Sequence, residues 1–277
     1  MAIPTKHSFT PKVSSLSPQT RIRRSLEGTA DAAARQNLPA FIIADLNSDV
    51  STKAVRKVIN SIKRTKSDLI PMVVQATTPE VLNKHLAEFN LGKENWTYPS
   101  NRGETKFDIK SGLKLSAYNA KDINKVIACA VSHMRLWALI AANNFPAVIL
   151  EHDALFTRRF RQPQREDQWG VIGLNDPRGA TRKSNVYLQK VLDEYNKSTS
   201  DFVNVPYVDD DQFAPQGIAG NSAYFIHPNA ASSLIAKVEE VGLWPNDALM
   251  CKQFFPWLRQ AYPFYTTLQG VASTTQG

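Results

Sequence analysis

The chain has 277 residues, of which 43% are hydrophobic and 21% charged, so a folded protein is expected and a disordered chain is excluded. The net charge of +8 and the pI near 9.4 favour an anionic partner, because a basic surface attracts phosphates. Only two cysteines occur, which excludes a disulfide framework and predicts a reducing, cytoplasmic compartment.

The first 39 residues are rich in serine, threonine, proline and basic residues and follow no sustained period. We therefore expect a basic, partly disordered arm over 1–39 and a single domain over 40–277. This start has no apolar core of signal-peptide length. The most apolar stretch, Val126 to Leu150, is interrupted by polar residues and Pro146, so it is not expected to cross a bilayer as one helix.

Strand and helix patterns alternate along the first half of the domain. Apolar runs predict strands at Phe41 to Leu46 and at Leu69 to Gln75. Helices are predicted from Ser51, after the first strand, and from Pro79, after the second. The polar, glycine-punctuated stretch 91–119 is expected to be a loop.

The second half begins with the longest predicted helix, Asp122 to Asn144, which Pro146 ends. A continuous apolar run, Ala147 to Leu150, then predicts a strand buried on both faces of a parallel sheet. The remaining predicted elements alternate in the same way and are Trp169 to Leu174, Asn185 to Lys197, Gly217 to His227, Pro228 to Glu240, Asp247 to Phe255 and Tyr262 to Leu268. This rhythm predicts an α/β fold with a mostly parallel sheet flanked by helices.

The buried strand ends abruptly in Glu151-His152-Asp153. On extended backbone, residues two apart point the same way, so the two carboxylates are expected to converge. Ligands of open α/β sheets bind beyond the carboxyl ends of the strands, which is where this triplet falls. Paired carboxylates suit Mn²⁺ or Mg²⁺, and such an ion neutralises a departing diphosphate. The alternative is a solvated acidic cap on the strand.

Common nucleotide and hydrolase signatures are absent: the chain contains no GxGxxG, GxxxxGK[ST], HExxH or GxSxG motif. These absences argue against a dehydrogenase, a P-loop NTPase, a zincin and an α/β-hydrolase.

The block "ACAVSHMRLWALIAANNFPAVILEHDALF" resembles the central block of glycosyltransferase family 25, the lipooligosaccharide-type sugar transferases. Cys129, Ser132, His133 and Trp137 match its helix, and the strand end matches its acidic DxD-type motif. The segments "FIIADLNSDVSTKAVRKV", "WGVIGL", "GNSAYFIHPNAASSLI" and "WPNDALM" resemble further blocks. His152 departs from the pattern, since the family usually carries an acid there.

The resemblance implies a GT-A-like, Rossmann-type fold and sugar transfer from a nucleotide donor, with UDP the expected nucleotide. Glu151 and Asp153 would hold Mn²⁺ or Mg²⁺ against the donor diphosphate, with Asp153 counted as catalytic. Asp247 is the candidate general base or acceptor contact, because an attacking hydroxyl must lose its proton to a carboxylate. The expected donor contacts are His133, Asn221 and Ser222. Each of these positions has a structural alternative. His133 could be a buried structural histidine, Asn221 and Ser222 could form a turn, and Asp247 could stabilise the start of a helix.

A group of arginines follows the acidic motif and is expected to flank the mouth of the site and bind acceptor phosphates. These candidates are Arg158, Arg159, Arg161, Arg165 and Arg182. A solvated basic loop is the alternative.

Three functions stay open from sequence. The favoured one transfers sugar to a phosphate-bearing lipopolysaccharide or lipooligosaccharide glycan, in the cytoplasm of a bacterium. The second transfers sugar to hydroxymethylated bases of viral DNA in an infected cell, which requires many phosphate contacts and an exposed base. The third is a non-catalytic nucleic-acid-binding protein on a transferase scaffold. No protein partner is evident from the sequence.

Overall fold

The computed structural model describes residues 37–163, 170–179 and 183–270. The helices are α1 (Asp49–Arg64), α2 (Leu82–Ala87), α3 (Ile123–Asn143), α4 (Ser184–Tyr195), α5 (Pro228–Val241) and α6 (Asn246–Leu249). The strands are β1 (Leu38–Ala44), β2 (Leu69–Gln75), β3 (Thr105–Asp108), β4 (Leu113–Ser116), β5 (Ala147–Glu151), β6 (Ala154–Phe156), β7 (Val171–Gly173), β8 (Phe202–Asn204), β9 (Ala223–Ile226), β10 (Arg259–Ala261) and β11 (Thr266–Leu268).

The central sheet has seven strands in the order β2-β1-β5-β9-β7-β10-β8. β1 pairs in parallel with both β2 and β5, and β7 pairs in parallel with β10. β9 runs antiparallel to its neighbours β5 and β7, and β8 runs antiparallel to β10. Every strand except β8 and β9 therefore points the same way, which confirms the predicted α/β fold with a mostly parallel sheet.

Both faces of the sheet are covered, as the continuous apolar strands predicted. All seven residues of β1 are buried, and so are the four apolar residues of β5. One core packs beneath α1, whose inward residues are Val55, Val58 and Ile62. The other core packs against α3 and α5. The sheet is therefore an interior layer, and polar groups are expected only at its edges.

Local signals explain where the two long helices begin. Ser48 caps α1 by accepting a hydrogen bond from the backbone of Ser51, and Asp122 caps α3 by accepting from Asn124. Asn144 ends α3 in the left-handed conformation, with φ of 51°. The predicted helix Asp122 to Asn144 is thus confirmed, with its end residues acting as caps.

Helix α3 is long and apolar enough to cross a membrane by length and composition alone. However, 67% of its most apolar window is buried inside the protein. It is the core helix of the domain, in contact with α2, α5, α6 and β5.

Several predicted boundaries differ from the structure. Leu38 and Pro39 belong to β1 rather than to the arm, because pairing with β2 begins at Leu38. The predicted loop 91–119 contains the hairpin β3–β4. Its two strands are short, and Leu113 and Leu115 are their only buried apolar residues. The predicted strand at 217–227 is regular only over β9, and the helix predicted from Asp247 is limited to α6. The rest of the arm, residues 1–36, lies outside the described residues.

Candidate active site

A cleft of about 440 Å³ opens at one edge of the sheet, where the carboxyl ends of β1, β2 and β5 meet. Asp45 follows β1, Thr77 follows β2, and Glu151 ends β5. His133 of α3 and Asp153 belong to its polar lining as well. The acidic triplet thus lies in a concave site at the strand ends, where ligands of α/β sheets bind.

Glu151 is held from both its backbone and its side chain. Its backbone N–H donates to the carbonyl of Ser222 at 2.7 Å, and its Oε1 lies 3.3 Å from Nε2 of His133. Burial raises the pKa of this carboxyl, but the His133 hydrogen bond and the nearby imidazoles outweigh burial and leave the pKa lowered. Glu151 is therefore a fixed anion at the base of the cleft.

A chain of buried groups supports His133. The indole N–H of Trp137 donates to the Tyr224 hydroxyl at 2.8 Å, and that hydroxyl lies 2.8 Å from Nδ1 of His133. A carboxylate can only accept, so Nε2 of His133 carries a proton toward Glu151. The His133 and Tyr224 rings also stack, with centroids 5.7 Å apart. Trp137, Tyr224 and His133 consequently fix where the Glu151 carboxylate points.

Asp153 differs from Glu151 in its electrostatic state. Burial and the charge of Glu151 raise the pKa of Asp153 to about 7. Its Oδ1 is buried without a hydrogen-bond partner in the described chain. An unpaired carboxylate oxygen beside a second carboxylate is a position that a cation would stabilise.

The donor set fits a hard divalent cation. Two carboxylates in a cleft supply the oxygen ligands that Mn²⁺ and Mg²⁺ prefer. Cys129, His133 and Glu151 also place possible ligand atoms within 4.8 Å of one another. Burial raises the pKa of the Cys129 thiol well above its usual value, and both His133 nitrogens already have protein partners. Among the described residues, the clustered ligand atoms therefore include the Glu151 carboxylate but no atom of Asp153.

Asn221 and Ser222 lie beside Glu151, because antiparallel β9 begins where β5 ends. Both side chains are more than nine-tenths buried, and Oδ1 and Nδ2 of Asn221 and Oγ of Ser222 have no hydrogen-bond partner in the described chain. Buried polar groups are normally paired. Asn221 and Ser222 do not themselves line the cleft, although they lie directly behind Glu151.

Asp247 starts α6 and accepts a hydrogen bond from the Tyr118 hydroxyl at 2.8 Å. Burial and, more weakly, the charge of Glu151 raise the pKa of Asp247, although Tyr118 opposes this shift. The charges of Glu151, Asp247 and Asp153 all act on the Cys129 thiol, which lies 3.8 Å from Asn246 Oδ1. The fold therefore brings the Asp247 carboxylate and the neighbouring pair Glu151 and Asp153, from two distant parts of the chain, close to Cys129.

His152, where the family motif has an acid, is partly buried, and its Nε2 has no hydrogen-bond partner in the described part of the chain. Burial lowers its pKa, so the ring is neutral at physiological pH. It lines the same cleft as Glu151 and Asp153.

The expectation that the arginine group flanks the mouth of this cleft is wrong for the arginines that the structure describes. Arg158, Arg159 and Arg161 line a separate depression with residues 199–202 and Tyr265. Arg159 pairs with Asp68, which precedes β2 and so lies at the amino end of that strand, away from the cleft. The short strand β6 carries the chain back along α1 before the arginines are reached. Arg165 and Arg182 lie outside the described residues.

The sequence of this chain matches the family model described as glycosyltransferase family 25 (LPS biosynthesis protein) over residues 91–250. That match covers more than half of the chain and includes the acidic triplet, Tyr224 and Asp247. The chain belongs to glycosyltransferase family 25. The resemblance drawn from the sequence is thereby confirmed, and so is the enzyme class.

Comparisons with individual proteins say less about this family 25 transferase than the family match does. A search of curated proteins gives no match. The solved structures that resemble it include the apo form of the bifunctional glycosyltransferase WbbM, with 14% identity and a TM-score of 0.38. That alignment covers 82% of this chain and 39% of WbbM. A likeness this distant carries no argument about the reaction.

Some residues of the candidate site were not predicted from the sequence. Tyr118 lies in the stretch expected to be a loop, and nothing in its neighbourhood marks a contact 129 positions away. Asp45 and Thr77 follow β1 and β2, and the rule that placed Glu151 at a strand end could have found them. Thr77 is tied to α3, since its N–H donates to Ser132 Oγ at 2.8 Å.

Proposed function

We propose that this family 25 transferase moves a sugar from a UDP-sugar to a hydroxyl of a lipopolysaccharide-type glycan in the cytoplasm, with Mn²⁺ or Mg²⁺ held by Glu151 and Asp153. The observation that carries this proposal is the acidic pair in the cleft: one carboxylate is fixed and ionised, and the other has a buried, unpaired oxygen. A divalent cation bound between these carboxylates would neutralise their charge and could also bind the donor diphosphate. The GT-A designation of the fold belongs to the same proposal.

Each side chain has a distinct task in this reaction. The bound metal ion would supply charge neutralisation for the diphosphate. Glu151, oriented by His133, sets the position of that charge, and the unpaired groups of Asn221 and Ser222 bind donor hydroxyls. Asp247 takes the proton of the attacking hydroxyl as the new glycosidic bond forms. The bond from the sugar carbon to the diphosphate oxygen breaks, and the nucleoside diphosphate leaves with the bonding electrons.

The glycan is favoured over DNA as the acceptor. A DNA substrate would place phosphates around the reacting base, so cations at the cleft mouth would be required. Arg158, Arg159 and Arg161 lie elsewhere, and among the described lysines and arginines only Lys125 lines the cleft. The family is described by its role in LPS biosynthesis, which agrees with a glycan acceptor.

The test measures release of nucleoside diphosphate from a panel of nucleotide sugars with Mn²⁺, Mg²⁺ or EDTA. We expect metal-dependent release from a UDP-sugar, stimulated by a lipooligosaccharide acceptor. Asp153→Asn and Glu151→Gln should each lower the rate by about 10²-fold or more, because charge stabilisation at the leaving group is lost. Metal-independent activity in the wild-type protein would contradict the metal assignment.

The matched control is Asp210→Asn, which removes the same charge from an exposed loop position. This variant should change the rate by no more than about twofold relative to wild type, as expected for a surface substitution. Stimulation by hydroxymethylcytosine DNA rather than by glycan would overturn the acceptor assignment while keeping the transferase.

A further inference from the structure

The positive charge of the described chain is concentrated on one surface. Segments 49–68 and 158–161 contain nine Lys and Arg residues against two Asp. Elsewhere in the described ranges there are sixteen Lys and Arg residues against nineteen Asp and Glu. Helix α1 and the arginine segment therefore carry the whole positive excess of the described residues, and the rest is slightly acidic.

The cations on α1 form a single stripe. At 3.6 residues per turn they fall within an arc of roughly 120° on the side opposite the core. The stripe residues are Lys53, Arg56, Lys57, Lys63 and Arg64, all of which are exposed. Among the ion pairs between described residues, none involves this stripe. Five like charges side by side repel one another, so the stripe has a cost that an anionic partner would remove.

The arginine segment extends the stripe at the carboxyl end of α1. Phe160 donates its N–H to Ser67 Oγ, and Arg64 reaches the carbonyl of Phe156 at 3.4 Å. Arg158 lies over the ring of Tyr265, with its guanidinium carbon 4.5 Å from the ring centroid. The basic face is defined as the α1 stripe together with Arg158 and Arg161, whose backbone segment is joined to the end of α1 by these two hydrogen bonds.

Exposed apolar residues lie at the other end of this face. Leu46 is 47% exposed and Val50 is 52% exposed, at the amino end of α1. Ser48, between them, lines the active-site cleft. The apolar face of α1 packs in the core, so the membrane-facing features are the cations, which attract anionic headgroups, and these two apolar side chains.

We propose that the basic face docks on an anionic phospholipid membrane, with α1 lying in the headgroup layer and Leu46 and Val50 touching its apolar boundary. A helix of this length covers about 24 Å of surface. Docking would hold the cleft at a fixed distance from the bilayer, where a lipid-linked acceptor is concentrated. The inference does not depend on the reaction, because vesicle binding can be measured without a substrate.

The experiment is sedimentation of the full-length protein with vesicles of equimolar phosphatidylglycerol and phosphatidylcholine, compared with pure phosphatidylcholine. We expect binding only to the anionic vesicles, weakening as salt rises. The quadruple variant Lys53→Gln/Arg56→Gln/Lys57→Gln/Lys63→Gln should bind roughly 100-fold or more weakly, because each cation near such a surface contributes severalfold. Leu46→Ser/Val50→Ser should weaken vesicle binding and leave any binding to duplex DNA unchanged.

The matched control neutralises four exposed cations elsewhere: Lys84→Gln/Lys93→Gln/Arg102→Gln/Lys197→Gln. It lowers the net charge equally and should keep vesicle binding within a few-fold of wild type. Equal losses in both quadruple variants would overturn the proposal, since net charge alone would then explain binding. So would wild-type protein that ignores anionic vesicles, or that binds duplex DNA through the same residues in preference to them. UDP release in solution should persist in the α1 variant, which separates failure of docking from failure of catalysis.

Discussion

Tyr224 links the buried core to the acidic site at the scale of a single hydroxyl group. It accepts from Trp137 and faces His133, so it sets the imidazole that holds Glu151. Tyr224→Phe keeps the ring stack but leaves two buried nitrogens unpaired. We expect a stability loss of about 1–3 kcal/mol and a fall in activity of about tenfold, because the carboxylate loses its orientation. Thermal unfolding and transfer kinetics measure the two effects.

Tyr187→Phe provides the comparison for Tyr224→Phe. The Tyr187 hydroxyl is also buried and donates to Gln260 Oε1 at 3.1 Å, but Tyr187 is remote from the cleft. We expect a similar stability loss with unchanged kcat. Equal activity losses in the two variants would show that Tyr224 acts only through general stability.

Asp153 gives a pH-dependent prediction with a definite sign. Its pKa in the folded protein is raised to about 7, whereas an unfolded chain titrates near 3.9 or so. The folded state therefore holds the proton more tightly, and stability falls as pH rises between these values. In EDTA, Asp153→Asn should unfold at a higher temperature than wild type, and the gap should widen from about pH 5 to about pH 8.

Solvent access limits this gap to about 1–2 kcal/mol. Adding Mn²⁺ at about pH 8 should reverse the order, because only the wild-type carboxylate binds the ion and ligand binding stabilises the folded state. A gap independent of pH would mean that the Asp153 carboxylate is not strained by Glu151.

At the scale of elements, strand β6 decides where the chain goes after the acidic motif. Its Phe156 N–H donates to Ser61 Oγ at 3.0 Å, and that hydroxyl donates to the carbonyl of Val58. Ser61→Ala leaves a buried backbone donor unpaired, so we expect a loss of about 1–3 kcal/mol in unfolding free energy. Ser233→Ala, on the exposed side of α5, should change it by less than about 0.5 kcal/mol. Comparable losses in chemical denaturation would contradict this role of Ser61.

The elements differ in how well the sequence predicts them. The strands β1, β2 and β5 are continuous apolar runs, and helices α1 and α3 have caps and clear apolar faces, so periodicity found them. Glu151 and Asp153 were predicted because a strand end is a local feature. The course of residues 154–161 could not be predicted, since it depends on hydrogen bonds between Phe156 and Ser61 and between Phe160 and Ser67. Such side-chain contacts leave no periodic trace.

At the scale of the whole molecule, the fold joins residues more than a hundred positions apart into one site. Tyr118 follows the β3–β4 hairpin and Asp247 starts α6, yet their side chains meet at 2.8 Å. The sheet order explains the rest, because antiparallel β9 returns Asn221 and Ser222 to the end of β5. Local sequence patterns could not predict the Tyr118 contact, which depends on how the hairpin packs on the helical layer.

The Tyr118–Asp247 pair makes the general-base assignment testable. If ionised Asp247 accepts the acceptor proton, transfer slows as pH falls through the raised pKa of this carboxyl. Tyr118 stabilises the ionised form, so Tyr118→Phe should raise that pKa further and move the acid limb of the kcat profile upward by about 1 pH unit. The matched control is Tyr98→Phe. The Tyr98 ring stacks on Tyr118, but the Tyr98 hydroxyl makes no hydrogen bond to Asp247, so this variant should leave the acid limb in place. Asp247→Asn should abolish the limb together with most of the rate. An acid limb that survives in Asp247→Asn would assign the base to another group.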